Sequence, residues 1–179
     1  MSSEIELTPT SHIVLGLLSI SGEATPYDLK QMVSVSVGNF WSLPHSQLYA
    51  EPARLARAGY VTEQREQDGR RRKRYSLTAK GRKALDDWLS VLTPEPYMLR
   101  DPALLKLFFG ADPRALAKVQ LETHRQKLSE YEMFLNAPIE HSRAGPWLAL
   151  ELGVRHERET VAFWEEQAGS DADEAQAHP

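Results

Sequence analysis

Apolar positions in this chain recur at two different spacings, and the switches between them set the order of its elements. After Thr8-Pro9, the residues Ile13, Val14, Leu17 and Leu18 fall at the spacing of one helical face. Leu29, Met32 and Val33 do the same after Thr25-Pro26, with Asp28 in the capping-box position relative to Thr25. Both starts, like Asp101-Pro102 and Asp112-Pro113 further on, put a capping side chain directly before a proline suited to the first helical turn. Gly38-Asn39 predicts a stop for the second helix, although Val33, Val35 and Val37 alternate as they would in a strand. A third helix is predicted from Pro44 to Ala58, with Leu48, Leu55 and Ala58 inward and Gly59 as its left-handed stop. Pro52 lies inside it and predicts a kink or a restart. The period then changes. Tyr60–Glu66 and Lys73–Leu77 flank Asp68-Gly69, a turn pair, and predict a two-stranded hairpin in which Tyr75 and Leu77 point inward. An isolated hairpin is marginal in water, so it must pack on the helices around it. One of these begins at Thr78, with Leu85, Trp88, Leu89 and Leu92 as its expected inward stripe.

Thr93-Pro94-Glu95-Pro96 breaks the helical pattern and predicts a stiff joint. Beyond it the chain reads as wholly helical. Ala117, Leu121, His124, Leu128, Tyr131 and Leu135 recur at alternating spacings of four and three, the seam of one helix packed along another. From Pro146, Trp147, Leu150, Val154, Val161 and Trp164 repeat the device, interrupted only by Glu157. Two such helices without a third layer call for a partner. The predicted organisation is therefore mostly α with a small β-hairpin. Residues 1–92 form an N-terminal winged helix-turn-helix, residues 93–168 an all-α dimerisation domain, and residues 169–179 a polar, disordered tail.

Charge sharpens this division. Residues 1–92 carry 12 Lys/Arg against 10 Asp/Glu, while residues 93–179 carry 9 against 15. Between Gly69 and Leu85 the chain has Arg70, Arg71, Arg72, Lys73, Arg74, Lys80, Arg82 and Lys83 and no acidic residue. Cations in the first turn of a helix oppose its macrodipole, so local stability is a poor reason for the last three. A phosphate backbone is a better one, because each neutralised phosphate releases counterions. Absence of Cys excludes disulfides, thiolate catalysis and Cys-based zinc sites, and no apolar run is long enough for a membrane span. With an acidic start in place of a signal peptide, a cytoplasmic protein is expected.

Helix, helix, helix, basic hairpin, helix is the order of a winged helix-turn-helix, whose third helix enters the major groove while the hairpin follows the backbone. Three groups of residues narrow the family. They are Phe40-Trp41 with His45-Ser46-Gln47-Leu48-Tyr49; Arg54-Leu55 with Gly59-Tyr60-Val61; and Arg72-Lys73-Arg74-Tyr75-Ser76-Leu77-Thr78 with Gly81-Arg82 and Leu85. In these the chain resembles the PadR family of bacterial transcription regulators, in particular the subgroup with a long helical C-terminus of the virulence-activator type. The likeness implies a homodimer on a two-fold DNA operator, usually as a repressor and in some members as an activator. Where many such sequences carry proline after the third-helix tyrosine and leucine two positions on, this chain has Ala50 and Pro52. Carried over by position, Ser46 and Gln47 are the candidates for base edges and Tyr49 and Arg54 for phosphates. The wing, Arg70, Arg71, Arg72, Lys73 and Arg74, is assigned to phosphate or minor-groove contact.

His124 on the C-terminal seam reads as a hydrogen-bonded interface histidine. Trp147 and Trp164 are candidates for an effector pocket, weighed against plain interface packing. His156-Glu157 lacks the second histidine of a zinc-protease helix, because position 160 is Thr, and no phosphate loop or nucleophile elbow is present. The chain is expected to be no enzyme and to need no metal or cofactor. The alternative, from a different class, is a winged-helix protein-interaction scaffold whose basic run meets an acidic protein partner.

Overall fold

The computed structural model describes residues 5–65, 72–94, 96, 99–137 and 145–169, in two units, Met1–Glu95 and Pro96–Pro179. The Asp68-Gly69 turn, Arg70, Arg71 and the tail beyond Gly169 lie outside the described residues.

In the first unit the order is α1 (Pro9–Ser21), β1 (Glu23–Ala24), α2 (Pro26–Ser34), a 3₁₀ turn at Val37–Asn39, α3 (His45–Arg57), β2 (Val61–Arg65), β3 (Lys73–Leu77) and α4 (Ala79–Ser90). The capping residues act where the sequence puts them. The hydroxyls of Thr8 and Thr25 accept from the amides of Ser11 and Asp28, whose side chains return a bond to the cap amides. Helix α2 stops at Ser34, before the Gly38-Asn39 signal, and a 3₁₀ turn replaces the strand-like reading. Helix α3 runs uninterrupted through Pro52, whose ring is fully buried, so no restart occurs. Its end is a Schellman arrangement. Gly59 takes a φ of 79°, its amide bonds Ala56 O, and the Tyr60 amide bonds Leu55 O.

The sheet has three antiparallel strands in the order β1-β3-β2, with Ala24 opposite Tyr75 and Glu63 opposite Tyr75 on the other side. Two residues are too few to announce β1 in the sequence. Around this sheet the core gathers Val14, Leu15, Leu18, Leu29, Leu48, Leu55, Val61, Tyr75 and Leu85. Helix α4 docks closely at its start: a Cβ on Gly81 would stand 2.0 Å from the Tyr60 carbonyl oxygen, so only glycine fits. Its expected inward stripe is corrected. Leu85 is buried, but Trp88, Leu89 and Leu92 are 49%, 64% and 92% exposed. Helical periodicity finds a face without saying what covers it. Trp88 is held by stacking on His12, with centroids 4.6 Å apart.

The second unit holds α5 (Pro102–Phe108), α6 (Pro113–Leu135) and α7 (Gly145–Gly169), so Gly169 closes a helix instead of opening a tail. Asp101 and Asp112 cap α5 and α6 through the amides of Ala103, Leu104 and Arg114. Helices α6 and α7 are antiparallel, since Arg125 pairs with Glu165 at 2.6 Å while Tyr131, further along α6, packs against Gly153, earlier on α7. The seam residues of α6 are all buried or half-buried. Glu157, which interrupts the stripe of α7, is the partner of the seam histidine: His124 Nδ1 and Glu157 Oε2 lie 2.6 Å apart in a site where Glu157 is 9% exposed. Among the described residues no helix is long and apolar enough to cross a membrane.

Candidate nucleic-acid interface

Burying Leu48 and Leu55 turns the opposite side of α3 outward, and that side carries the residues assigned to reading. Ser46 and Gln47 are exposed on its first turn. Gln47 Oε1 accepts from Thr10 Oγ1 on α1 at 2.7 Å, a bond that occupies the amide oxygen and does not use the Nε2 donor. Tyr49 is 49% exposed half a turn further on. It does not stand alone. An open cleft of about 650 Å³ is lined by Thr25, Pro26 and Tyr27 at the start of α2, Tyr49 of α3, and Arg72 and Lys73 of the wing. Two exposed phenol rings, a positive wing and a helix N-terminus thus surround one space, a combination suited to a sugar-phosphate backbone.

Tyr27 was not anticipated. It is 58% exposed, and the signal was available: it follows a cap-proline start but lies off the apolar stripe of its helix, and the first helix of a helix-turn-helix crosses the DNA backbone.

The basic run is free of acid along the chain but not in space. Arg72 is exposed and makes no ion pair among the described residues. Lys73 Nζ lies 2.9 Å from Glu63 Oε1 across the hairpin, and Arg74 Nη1 lies 3.1 Å from Glu23 Oε1 on β1. Lys73 foremost, with Tyr75 and Arg65, holds the Glu63 carboxyl below its ordinary range. In turn burial, and then the bond from its hydroxyl to Glu63, push the Tyr75 phenol up to about 12. Exposed pairs of this kind contribute about 0–1 kcal/mol, so a phosphate can exchange for either carboxylate.

Two cations of α4 have local explanations, contrary to the expectation. Lys80 donates to the Ala58 carbonyl at 2.9 Å and lies 4.1 Å from the Tyr60 ring centroid, which closes the end of α3. Lys83 pairs with Asp87 one turn along at 2.6 Å. Arg82 remains exposed. Arg54, assigned to a phosphate, has partners within the protein although its side chain is 32% exposed: it is paired with Glu51 at 2.7 Å and reaches Ser11 and the Glu6 carbonyl.

The two tryptophans do not come together within one copy. Trp164 is 2% exposed and packs with Ala103 and Ala117, whereas Trp147 is half-buried on the first turn of α7. Seventeen residues of helix separate them by about 25 Å. Among the described residues, no group of His, Asp or Glu is placed to hold a metal ion.

Residues 14–87 match the transcriptional regulator PadR-like family, and residues 99–169 match the virulence activator alpha C-terminal family. A negative transcriptional regulator PadR of Bacillus subtilis (strain 168) is 31% identical over 169 residues, 86% of this chain and 92% of that protein. The crystal structure of Bacillus subtilis PadR in complex with operator DNA superposes with a TM-score of 0.76 at 29% identity, covering 90% of this chain and 97% of that one. The same protein in complex with p-coumaric acid gives 0.70 at 29% identity, over 92% and 96% of the two chains.

Proposed function

This chain belongs to the PadR-like family of transcriptional regulators, and we propose that it represses transcription as a homodimer bound to a two-fold DNA operator. One observation carries the reading: the cleft that gathers Tyr27, Tyr49, Arg72 and Lys73 beside the exposed first turn of α3. In this scheme Gln47 and Ser46 meet base edges, with Gln47 offering the donor that Thr10 leaves free. Tyr27 and Tyr49 hold backbone phosphates, and Arg72 with the neighbouring wing cations neutralises the flanking strand. Lys73 and Arg74 contribute by exchanging a carboxylate for a phosphate. The operator complex of the Bacillus subtilis relative supports DNA as the partner.

Exposed Val119, Met133 and Phe134 on α6 and Leu148, Leu152 and Phe163 on α7 support pairing through the C-terminal helices. A dimer of this kind places its half-sites about 34 Å apart on the duplex. The p-coumaric acid complex of the relative supports a small aromatic acid as effector. Trp147 is the tryptophan left for it, because Trp164 is taken up by its own core. The site of action is the cytoplasm, where the operator is.

The test is selection of bound duplexes from a random pool, followed by titration of the enriched sequence against salt. A palindromic sequence and a steep salt dependence are expected. Replacing Tyr27, Tyr49 and Arg72 by Ala together should weaken enriched and scrambled duplexes alike, since backbone contacts carry no sequence information. Affinity that stays flat with ionic strength overturns the reading.

A further inference from the structure

The sequence placed Arg54 among the DNA contacts, but its geometry describes a different task. The guanidinium meets Glu51 as a fork, Nε to Oε2 at 2.8 Å and Nη2 to Oε1 at 2.7 Å. From Nη2 it also reaches Ser11 Oγ at 3.0 Å, and both terminal nitrogens lie 3.2 Å from the Glu6 carbonyl oxygen. Ser11 Oγ donates to Glu51 Oε1 at 2.6 Å and accepts from the Thr8 amide at 2.8 Å. Ser11 is 0% and Glu51 8% exposed, while the Arg54 side chain that joins them is 32% exposed. The hydroxyl therefore uses its one proton and its acceptor sites in a closed set of bonds tying the middle of α3, the first turn of α1 and the segment before it.

We propose that Glu51, Arg54 and Ser11 are positioning residues for DNA reading, a clamp that fixes the angle of α3 on α1, and that Arg54 does not itself bind phosphate. The proposal rests on the operator-binding reading above and adds to it what holds the reading helix. A phosphate that drew Arg54 outward would leave the Glu51 carboxylate buried without its counter-charge, an expensive exchange. The surface pairs of Lys73 and Arg74 carry no such penalty. Glu51 is settled in its charged form. Burial works to raise its carboxyl, but the bonds from Arg54 and Ser11 and the arginine's charge outweigh that and hold it below the ordinary range. One turn earlier, the bond from Thr10 to Gln47 fastens the same two helices, so the clamp and the reading side chain share one support. Loosening α3 should cost discrimination between sequences before it costs general attraction to DNA.

The test uses the full chain with the duplex that the wild-type protein enriches from a random pool, and a scrambled duplex of equal length. Each is titrated across salt concentrations, with circular dichroism to score folding. Glu51→Gln and Arg54→Met should each lower the enriched-to-scrambled affinity ratio by about tenfold, the worth of one good base contact. For Arg54→Met the salt slope should not change, whereas loss of a phosphate contact would shallow it by about 0.9. The sign for Glu51→Gln is the sharper measure. A clamp predicts weaker discrimination, but if Arg54 binds phosphate, removing the competing carboxylate tightens binding and the proposal fails. Should Arg54→Met not fold, Arg54→Lys decides, because it keeps the charge and loses the fork. Discrimination lost in that variant supports the clamp, and wild-type behaviour overturns it. A wild-type chain that enriches no duplex removes the operator reading itself, a result distinct from any outcome among the variants.

Discussion

Leu15, Leu18, Leu29, Leu48 and Leu55 of the N-terminal unit are sealed within four helices and a sheet, whereas the described residues of the C-terminal unit bury Ala103, Ala117, Val154, Glu157, Val161 and Trp164. Each sealed leucine contributes about 1.5–3 kcal/mol from burial, so the first unit has the means to stand as a domain by itself. The second spreads its apolar residues along two helices and leaves Leu105, Phe108, Phe109 and Leu152 between 59% and 81% exposed. The first unit closes a large core yet also leaves Phe40, Leu89 and Leu92 between 64% and 92% exposed, whereas the second has a small core and open helix faces. Charge follows the same division, since the excess of Asp/Glu over Lys/Arg lies wholly after residue 92.

Deleting a large side chain from each core tests this contrast most severely. Trp164→Ala should cost about 3–5 kcal/mol and Leu15→Ala about 2–5, read from urea unfolding. Raising the protein concentration should restore stability to the first variant if a second copy completes that unit, and leave the second variant unchanged. Equal concentration dependence in both would erase the distinction. A smaller effect is expected at the seam. Glu157→Ala should cost about 1–3 kcal/mol by leaving the half-buried His124 without its partner. Replacing both by Leu should recover most of that loss, because a buried polar pair is often no better than packed apolar groups. A double variant as unstable as the sum of its parts would show that the pair does more than fill the seam.

The smallest effect is a pH dependence confined to the first unit. Burial lowers the affinity of His12 for a proton relative to its value of 6.5 in the unfolded chain, with the Thr8 backbone bond opposing weakly. The unfolded state therefore binds more protons, and the contribution of His12 to stability is present above about pH 6.5 and fades as pH falls. The urea midpoint should drop over that range in the wild type and drop less in His12→Gln, in which Trp88 keeps a planar neighbour.

Much of this organisation was legible because it depends on neighbours in sequence. Thr8, Thr25, Asp101 and Asp112 cap helices in the structure as their prolines implied, Gly59 takes the left-handed turn, and the α6 seam is the one its spacing drew. The reading helix was legible for the same reason. What failed involved partners distant in the chain. Trp88, Leu89 and Leu92 had the spacing of a core face with no core opposite, and the eight cations counted as unopposed included Lys73 and Arg74, whose carboxylates arrive from Glu63 and Glu23. Tyr27 and Tyr49, twenty-two residues apart, share a cleft only because α2 and α3 fold against each other.

By itself the sequence determined where the helices and the two hairpin strands begin, which face of α3 turns outward, and which half of the chain is positive, all of which follow from backbone sterics, capping and periodicity over a few residues. Only the tertiary structure decided which of those charges are spent. Whether an arginine stays exposed without an ion pair among the described residues, as Arg72 does, or meets Glu51 and Ser11, as Arg54 does, depends on which groups the fold brings within about 3 Å, the range of a hydrogen bond.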